Sequence, residues 1–218
     1  VINGNTLPHS DLLIEALKVT FGNLLHSVQL NINTKSTNVV LGDKNVLLYG
    51  SPYITDILCG VSVRISPHSF YQVNRDTAEI LYGIAKEYAA PENKTVLDLY
   101  CGAGTIGLSM ADKFEKLVGV EIVPQAVENA RANATAMGFD NERARFLCAD
   151  AGEAAAQLAA EGLKPDVIVL DPPRKGCDTA TLDAVLQMTP ARVVMVSCNA
   201  STAARDVRYL ADHGYALQ

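Results

Sequence analysis

Val96-Leu97-Asp98-Leu99-Tyr100-Cys101-Gly102-Ala103-Gly104-Thr105-Ile106-Gly107 decides the fold. An apolar run reads as a buried strand, turns through a glycine-rich loop and opens a helical pattern. The glycines permit a tight turn and let the backbone come close to a ligand. Glu121 lies 17 residues beyond Gly104, at the end of the next apolar run. A carboxylate at that place in a βαβ unit accepts hydrogen bonds from ribose hydroxyls. The loop alone is shared by several nucleotide-binding classes, and the rest of the chain has to separate them.

Outward from this loop, strands are predicted over 96–99, 117–121, 144–148, 167–170 and 193–196. Helices are predicted near 75–88, 106–113, 124–137, 152–161, 178–188 and 201–212. Regular alternation of this kind specifies a doubly wound α/β fold on a parallel sheet. Residues 1–66 read differently, as a small α+β domain ahead of the 67–218 domain. Ser10 is placed as the cap of a helix over 10–25, with Leu12, Leu13, Leu17, Phe21 and Leu24 at helical spacing. Strands are expected over 28–32, 38–41, 46–49 and 61–65, with 42–45 as a turn.

Composition narrows the classes further. With 218 residues and 49% hydrophobic content the chain supports one sizeable core and a small appendage. No apolar run reaches membrane-spanning length and no signal-peptide pattern opens the chain, so no membrane partner is expected. Five scattered cysteines without a CxxC pair indicate neither a disulfide framework nor a zinc site, and a reducing cytoplasm is the expected compartment. Net charge is −6, unusual for a protein that grips a polyanion by itself. The chain starts at Val1 without Met and stops at Gln218, where Tyr215-Ala216-Leu217 begins to read as a strand. It therefore reads as a fragment.

Two further runs carry chemistry. Asp171-Pro172-Pro173-Arg174-Lys175-Gly176-Cys177 follows Val167-Ile168-Val169-Leu170, and Ser197-Cys198-Asn199 follows Val193-Val194-Met195-Val196. Loops that follow parallel strands face one crevice. A stiff turn ending in Arg and Lys, opposite a thiol, suits nucleophilic catalysis on a bound planar ring. Cys198, between two polar residues and ahead of a helix whose N-terminus favours a thiolate, is the expected nucleophile. Cys177 is the competing thiol, in a loop where it could be exposed. Cys101 belongs to the glycine loop, and Cys59 and Cys148 read as core or strand residues. Lys175, Arg205 and Arg208 read either as a basic rim or as a solvated face, with Asp206 a helix-surface partner of Arg205.

These motifs occur in a recognisable order, preceded by Ser69-Phe70-Tyr71-Gln72-Val73-Asn74. The chain resembles the uracil-5-methyltransferases of ribosomal and transfer RNA, whose members carry a similar Ser-Phe-Phe-Gln-Val-Asn run. Asn31-Ile32-Asn33-Thr34-Lys35 and Leu7-Pro8-His9 look most like the 23S ribosomal RNA branch. The resemblance covers essentially all of the chain. It implies a Rossmann-like methyltransferase sheet that takes S-adenosylmethionine through Gln72, Asp98, Gly102, Gly104, Glu121, Asp150 and Asp171. For Asp150 a role as cap of the next helix is equally open. The resemblance also implies RNA as substrate, ribosomal ahead of transfer RNA, with Asp171, Arg174 and Asn199 at the uracil and Cys198 bonding to C6. The family's proton-abstracting Glu, its N-terminal RNA-binding barrel and the iron–sulfur cluster of many members are not in this chain. The fragment is therefore expected to turn over negligibly alone.

Three rivals are weighed. A nucleobase N-methyltransferase uses a similar Pro-Pro loop but follows it with an aromatic, where Arg174 stands here. A nicotinamide-dependent oxidoreductase leaves Cys198 and 171–175 without a role. A non-catalytic RNA-binding module sits badly with net charge −6.

Overall fold

The computed structural model describes residues 1–36 and 38–218. The chain divides into two compact units, Val1–Thr55 with Ser66–His68, and Asp56–Ile65 with Ser69–Gln218.

The first unit holds helix α1 (Ser10–Phe21), a 3-10 turn (Gly22–Leu24) and an antiparallel pair, β1 (Ser27–Ile32) and β2 (Lys44–Gly50). Three expectations are corrected here. Ser10 is the first helical residue, and the cap position falls to His9, left-handed at φ 57° and with no side-chain cap bond. The 38–41 run is not a strand: the Asn33 side chain donates to the carbonyls of Val39 and Val40 at 2.7 and 3.1 Å, drawing them out of any ladder. Lys44 and Asn45 belong to β2 and not to the turn, because the Asn31 amide holds Gly42 at both its N–H and its carbonyl and tightens the connection.

A hairpin follows, β3 (Ile54–Leu58) and β4 (Val61–Ile65), and its residues Asp56–Ile65 belong to the second unit. Its two turn residues, Cys59 and Gly60, are both left-handed at φ 51° and 75°, as a two-residue hairpin turn with right-handed strand twist requires. β3 was not expected. The turn signal is masked because Cys stands where Asn or Asp usually announces such a turn. Helix α2 (Arg75–Ala89) follows, its cap Asn74 accepting the Thr77 N–H.

Then comes the sheet. Strands β5 (Thr95–Leu99), β6 (Lys116–Glu121), β7 (Ala144–Cys148), β8 (Val167–Leu170) and β9 (Arg192–Met195) lie in the order β7-β6-β5-β8-β9, all parallel. They are connected by α3 (Thr105–Ser109), α4 (Pro124–Ala136), α5 (Ala151–Ala160) and α6 (Thr179–Met188), and α7 (Ala200–Asp212) follows β9. The doubly wound parallel sheet expected from the sequence is the one observed. Both faces are buried: Val96, Leu108, Val127, Phe146 and Val169 pack on one, and Leu97, Leu99, Ile168, Leu170 and Val185 on the other. This is why the strands read as unbroken apolar runs. The 215–217 segment carries no strand. Tyr215 donates its hydroxyl to the Pro190 carbonyl, and the tail lines a groove of about 410 Å³ along β9, the edge strand.

Gly119 sits within β6 beneath the glycine loop, and a Cβ there would run into the buried Phe146 ring and come within 2.9 Å of Cys101 Sγ. Gly119→Ala is therefore expected to lower stability by about 1–3 kcal/mol through overpacking, measured as a lower urea midpoint with an unchanged slope.

Candidate active site

The chain reverses its direction of winding between β5 and β8, which are neighbours in the sheet. The crevice beyond the carboxyl ends of two such strands is where α/β sheets bind ligands. The loop leaving β5 is shaped by three left-handed residues, Tyr100, Gly102 and Gly104, at φ 67°, 55° and 78°. Two carboxylates fix it. Asp98 lies beneath, 0% exposed, with Oδ2 accepting the Gly107 N–H at 3.0 Å. Its Oδ1 has no hydrogen-bond partner among the described residues. Burial pushes the Asp98 carboxyl up to about 7 against the pull of the Gly107 N–H, and the charges of Asp171 and Glu121 push the same way. Glu121 lies alongside at the end of β6, Oε2 accepting the Gly102 N–H at 3.0 Å and Oε1 the Val123 N–H at 2.8 Å. Each oxygen keeps a second lone pair. Ile122 beside it is 62% exposed and offers an apolar surface.

Two residues that sequence reasoning missed hold this region together. Asn133 of α4 donates to the Ala103 carbonyl at 3.0 Å and accepts the Arg64 N–H at 2.7 Å. Asn129, one turn earlier, donates to Ser69 Oγ at 2.6 Å. They anchor the glycine loop, β4 and the 69–74 run to one helix. The signal was two asparagines at i, i+4 on the face that buries Ala126, Ala130 and Ala134, a polar pair where the helical period calls for apolar residues. Gln72 is half-buried in the 69–74 run, between Tyr71, which donates to Asp56 at 2.8 Å, and the α2 cap Asn74.

On the other side of the crevice, Asp171 directly follows β8, and burial pushes its carboxyl up to about 6. Arg174 and Lys175 are exposed in the loop that follows. Cys198 is exposed on the loop after β9. Asn199, next to it, caps α7 by accepting the Ser201 N–H and donates to the Arg174 carbonyl at 3.0 Å. The structure thus joins the 171–177 and 197–199 loops directly. Asp150 takes the capping role, accepting the Gly152 and Glu153 N–H groups at the start of α5.

Most of the remaining sequence assignments change. Cys177 is not exposed but 5% accessible, and burial, with Asp206 nearby, pushes its thiol up to about 12. That environment disfavours a thiolate and leaves Cys198 as the accessible thiol of the two loops. Asp206 is not a surface partner but 0% exposed, accepting the Cys177 N–H at 2.8 Å. Arg205 is committed to Asp206 and to the Lys175 and Cys177 carbonyls, and Arg208 to Asp212. Cys148 is a strand residue as read, exposed at the end of β7, whereas Cys59 is a half-buried turn residue and neither core nor strand.

The donor set fits an adenosine-type ligand. It has a carboxylate with lone pairs to spare beside a left-handed glycine backbone, and an exposed apolar side chain next in sequence.

Asp98 also sets a pH dependence. Unfolded, its carboxyl titrates near 4, whereas folded it binds the proton up to about 7. A raised folded value means that its contribution to stability is full below about pH 4 and is lost as pH rises through about 7. Asp98→Asn keeps the acceptor for the Gly107 N–H and removes the titration. The melting temperature of the variant relative to wild type is expected to rise steadily between pH 4.5 and 7.5.

The description "tRNA (Uracil-5-)-methyltransferase" belongs to the family model that matches residues 59–214. An uncharacterized RNA methyltransferase of Halalkalibacterium halodurans is 45% identical over 216 residues, covering 99% of this chain and 46% of that protein. One from Caldanaerobacter subterraneus is 46% identical over 216 residues, covering 99% of this chain and 47% of that protein. The chain thus spans about half the length of these relatives. Among solved structures, a Pyrococcus abyssi tRNA (uracil-54, C5)-methyltransferase in complex with S-adenosyl-L-homocysteine superposes with a TM-score of 0.74 at 28% identity, covering 94% of this chain and 47% of that one. A Streptococcus mutans methyltransferase shares the fold at 16% identity and a TM-score of 0.59, covering 95% of this chain and 56% of that one. With its glycine loop, Pro-Pro loop and exposed thiol in that family's order, and the model matched over most of its length, the chain belongs to the tRNA (uracil-5-)-methyltransferase family.

Proposed function

We propose that this chain carries the cofactor bed and the nucleophile of an enzyme that methylates C5 of a uridine in RNA. The observation that carries the reading is the exposed Cys198, joined through Asn199 to the 171–177 loop, on the same sheet edge as Glu121 and the glycine loop. S-adenosylmethionine supplies an electrophilic methyl group on a sulfonium. Glu121 takes the ribose hydroxyls with its spare lone pairs, Gly102 and Gly104 give backbone access, and Gln72 and Asp171 line the same bed. Asp98 acts from below by holding the loop, and Asp150 by starting α5.

C5 of uracil is a poor nucleophile on its own. The Cys198 thiolate adds to C6, and the C5=C6 electron pair moves toward the C4 carbonyl as an enolate, which makes C5 carbanion-like. C5 would take the methyl group as the bond from methyl to the sulfonium sulfur breaks and leaves a neutral thioether, after which a base takes the C5 proton and the thiolate leaves as C5=C6 re-forms. One difficult displacement becomes several easier steps. Arg174 polarises a uracil carbonyl or holds a phosphate, its planar fork suiting either. Residues 1–66 are assigned an RNA-facing role. Ribosomal RNA is the first assignment, from the 7–9 and 31–35 runs. Transfer RNA is the second, favoured by the Pyrococcus abyssi neighbour. Methyl transfer to transcripts of each separates them.

Glu121→Ala in the full-length protein should weaken S-adenosylmethionine binding by about 2–4 kcal/mol in calorimetry, through two lost charge-assisted hydrogen bonds. RNA containing 5-fluorouridine should form a gel-stable adduct, since fluorine does not leave as a proton does. Cys198→Ser should abolish that adduct and Cys177→Ser should not. An adduct that survives Cys198→Ser would overturn the mechanism.

A further inference from the structure

We infer that Arg205 and Asp206 of α7 are positioning residues that set the Cys198 loop against the 171–177 loop. The inference rests on Cys198 being the nucleophile proposed above. Neighbours at i and i+1 on a helix ordinarily point apart. Here the Arg205 side chain folds back over Asp206, Nε to Oδ1 at 2.8 Å and Nη2 to Oδ1 at 2.6 Å. Both then reach into one loop. Asp206 Oδ2 accepts the Cys177 N–H at 2.8 Å, while Arg205 Nη2 donates to the Lys175 and Cys177 carbonyls at 3.1 and 2.9 Å. Gly176 makes the approach possible. It is left-handed at φ 78°, and a Cβ there would lie 2.5 Å from Arg205 Nη2 and 2.6 Å from Asp206 Oδ2.

One turn closer to the thiol, the same helix holds the same loop again. Asn199 and the Thr202 hydroxyl both donate to the Arg174 carbonyl, at 3.0 and 3.3 Å. Cys198 directly precedes that cap. From its cap beside the thiol, helix α7 therefore reaches a buried grip two turns along, roughly 11 Å away at 1.5 Å per residue. A buried carboxylate held by one guanidinium is weak evidence for stability, since its desolvation offsets most of the attraction. What it does supply is a fixed register between two loops. A displacement of about 1 Å between a nucleophile and its bound ring is enough to slow reaction about 100-fold.

The test uses full-length protein carrying Asp206→Asn, and separately Arg205→Gln with Asp206→Asn. The double variant replaces the ion pair by neutral hydrogen-bonding groups of similar size and leaves no charge stranded. With 5-fluorouridine RNA, the rate of adduct formation at saturating RNA should fall about 10- to 100-fold. The RNA concentration for half-maximal rate should stay within about threefold. Alkylation of Cys198 by iodoacetamide, followed by peptide mass spectrometry, should be unchanged, because a small reagent needs no positioned ring. Parallel loss of both reactivities would show an effect on the thiol or the fold, and an unchanged adduct rate would show no effect; either overturns the inference. Absence of adduct in the wild type would instead defeat the proposed function. Hydrogen exchange then still decides the coupling: 174–177 and 197–199 should lose protection together in Asp206→Asn while β8 and β9 keep theirs. Loosening of 174–177 alone would overturn the inference.

Discussion

The hydrogen bond from the Gly107 N–H to the buried Asp98 carboxyl holds the strand and the helix on either side of the glycine loop at a fixed separation. Everything on the donor side of the crevice follows from it. With β5 and α3 pinned, the intervening backbone closes through left-handed residues, and Gly102 turns its N–H toward Glu121. The carboxyl sits in an apolar interior with one oxygen unpartnered among the described residues, an arrangement that burial penalises when charged. The penalty appears as the carboxyl being pushed up to about 7, not as a displaced side chain. Repulsion from Asp171 and Glu121 adds to it.

The two sides of the crevice solve one problem in different ways. Loops at the ends of parallel strands leave backbone groups without ladder partners, and buried groups of that kind need partners elsewhere. On the glycine-loop side, single side chains from neighbouring strands and α4 meet the need: Asp98, Glu121 and Asn133. On the thiol side, one helix meets it four times, through Asn199, Thr202, Arg205 and Asp206. Most polar side chains of the site therefore hold backbone first. Glu121 does both jobs because a carboxylate has more lone pairs than its two backbone donors use.

The sheet was legible because its strands are short apolar runs, each followed by a polar or glycine turn, and the fully buried 167–170 run carries no competing signal. The 75–88 and 201–212 helices were legible from their place in the βα alternation, and the glycine loop with Glu121 through spacing. What failed did so where a side chain overrode the local pattern. Val39 and Val40 have β-formers' side chains, yet Asn33 takes their carbonyls. β3 was hidden by a cysteine in a left-handed turn position. Adjacent Arg205 and Asp206 read as a solvated pair, because nothing in sequence reveals that Gly176 brings a loop down onto them. Cys177 was misplaced by the same omission, since that contact is what buries it.

The charge balance now resolves by location. A net charge of −6 speaks for the whole chain and says little about one rim. Arg205 is taken up by Asp206 and two carbonyls, and Arg208 by Asp212. All four cations that the sequence placed near the thiol are exposed; Arg174 and Lys175 are the two in the 171–177 loop, and Asn199 holds the backbone of the first. Counterion release scales with the number of phosphates contacted, so two such side chains account for a salt slope of about 2 at most. On the proposed function, these residues orient one nucleotide over Cys198, and most of the affinity for a long RNA comes from other surfaces. The loop is built accordingly, with two prolines limiting its backbone and α7 fixing its carbonyls, so that its cations hold a position more than they attract a polymer.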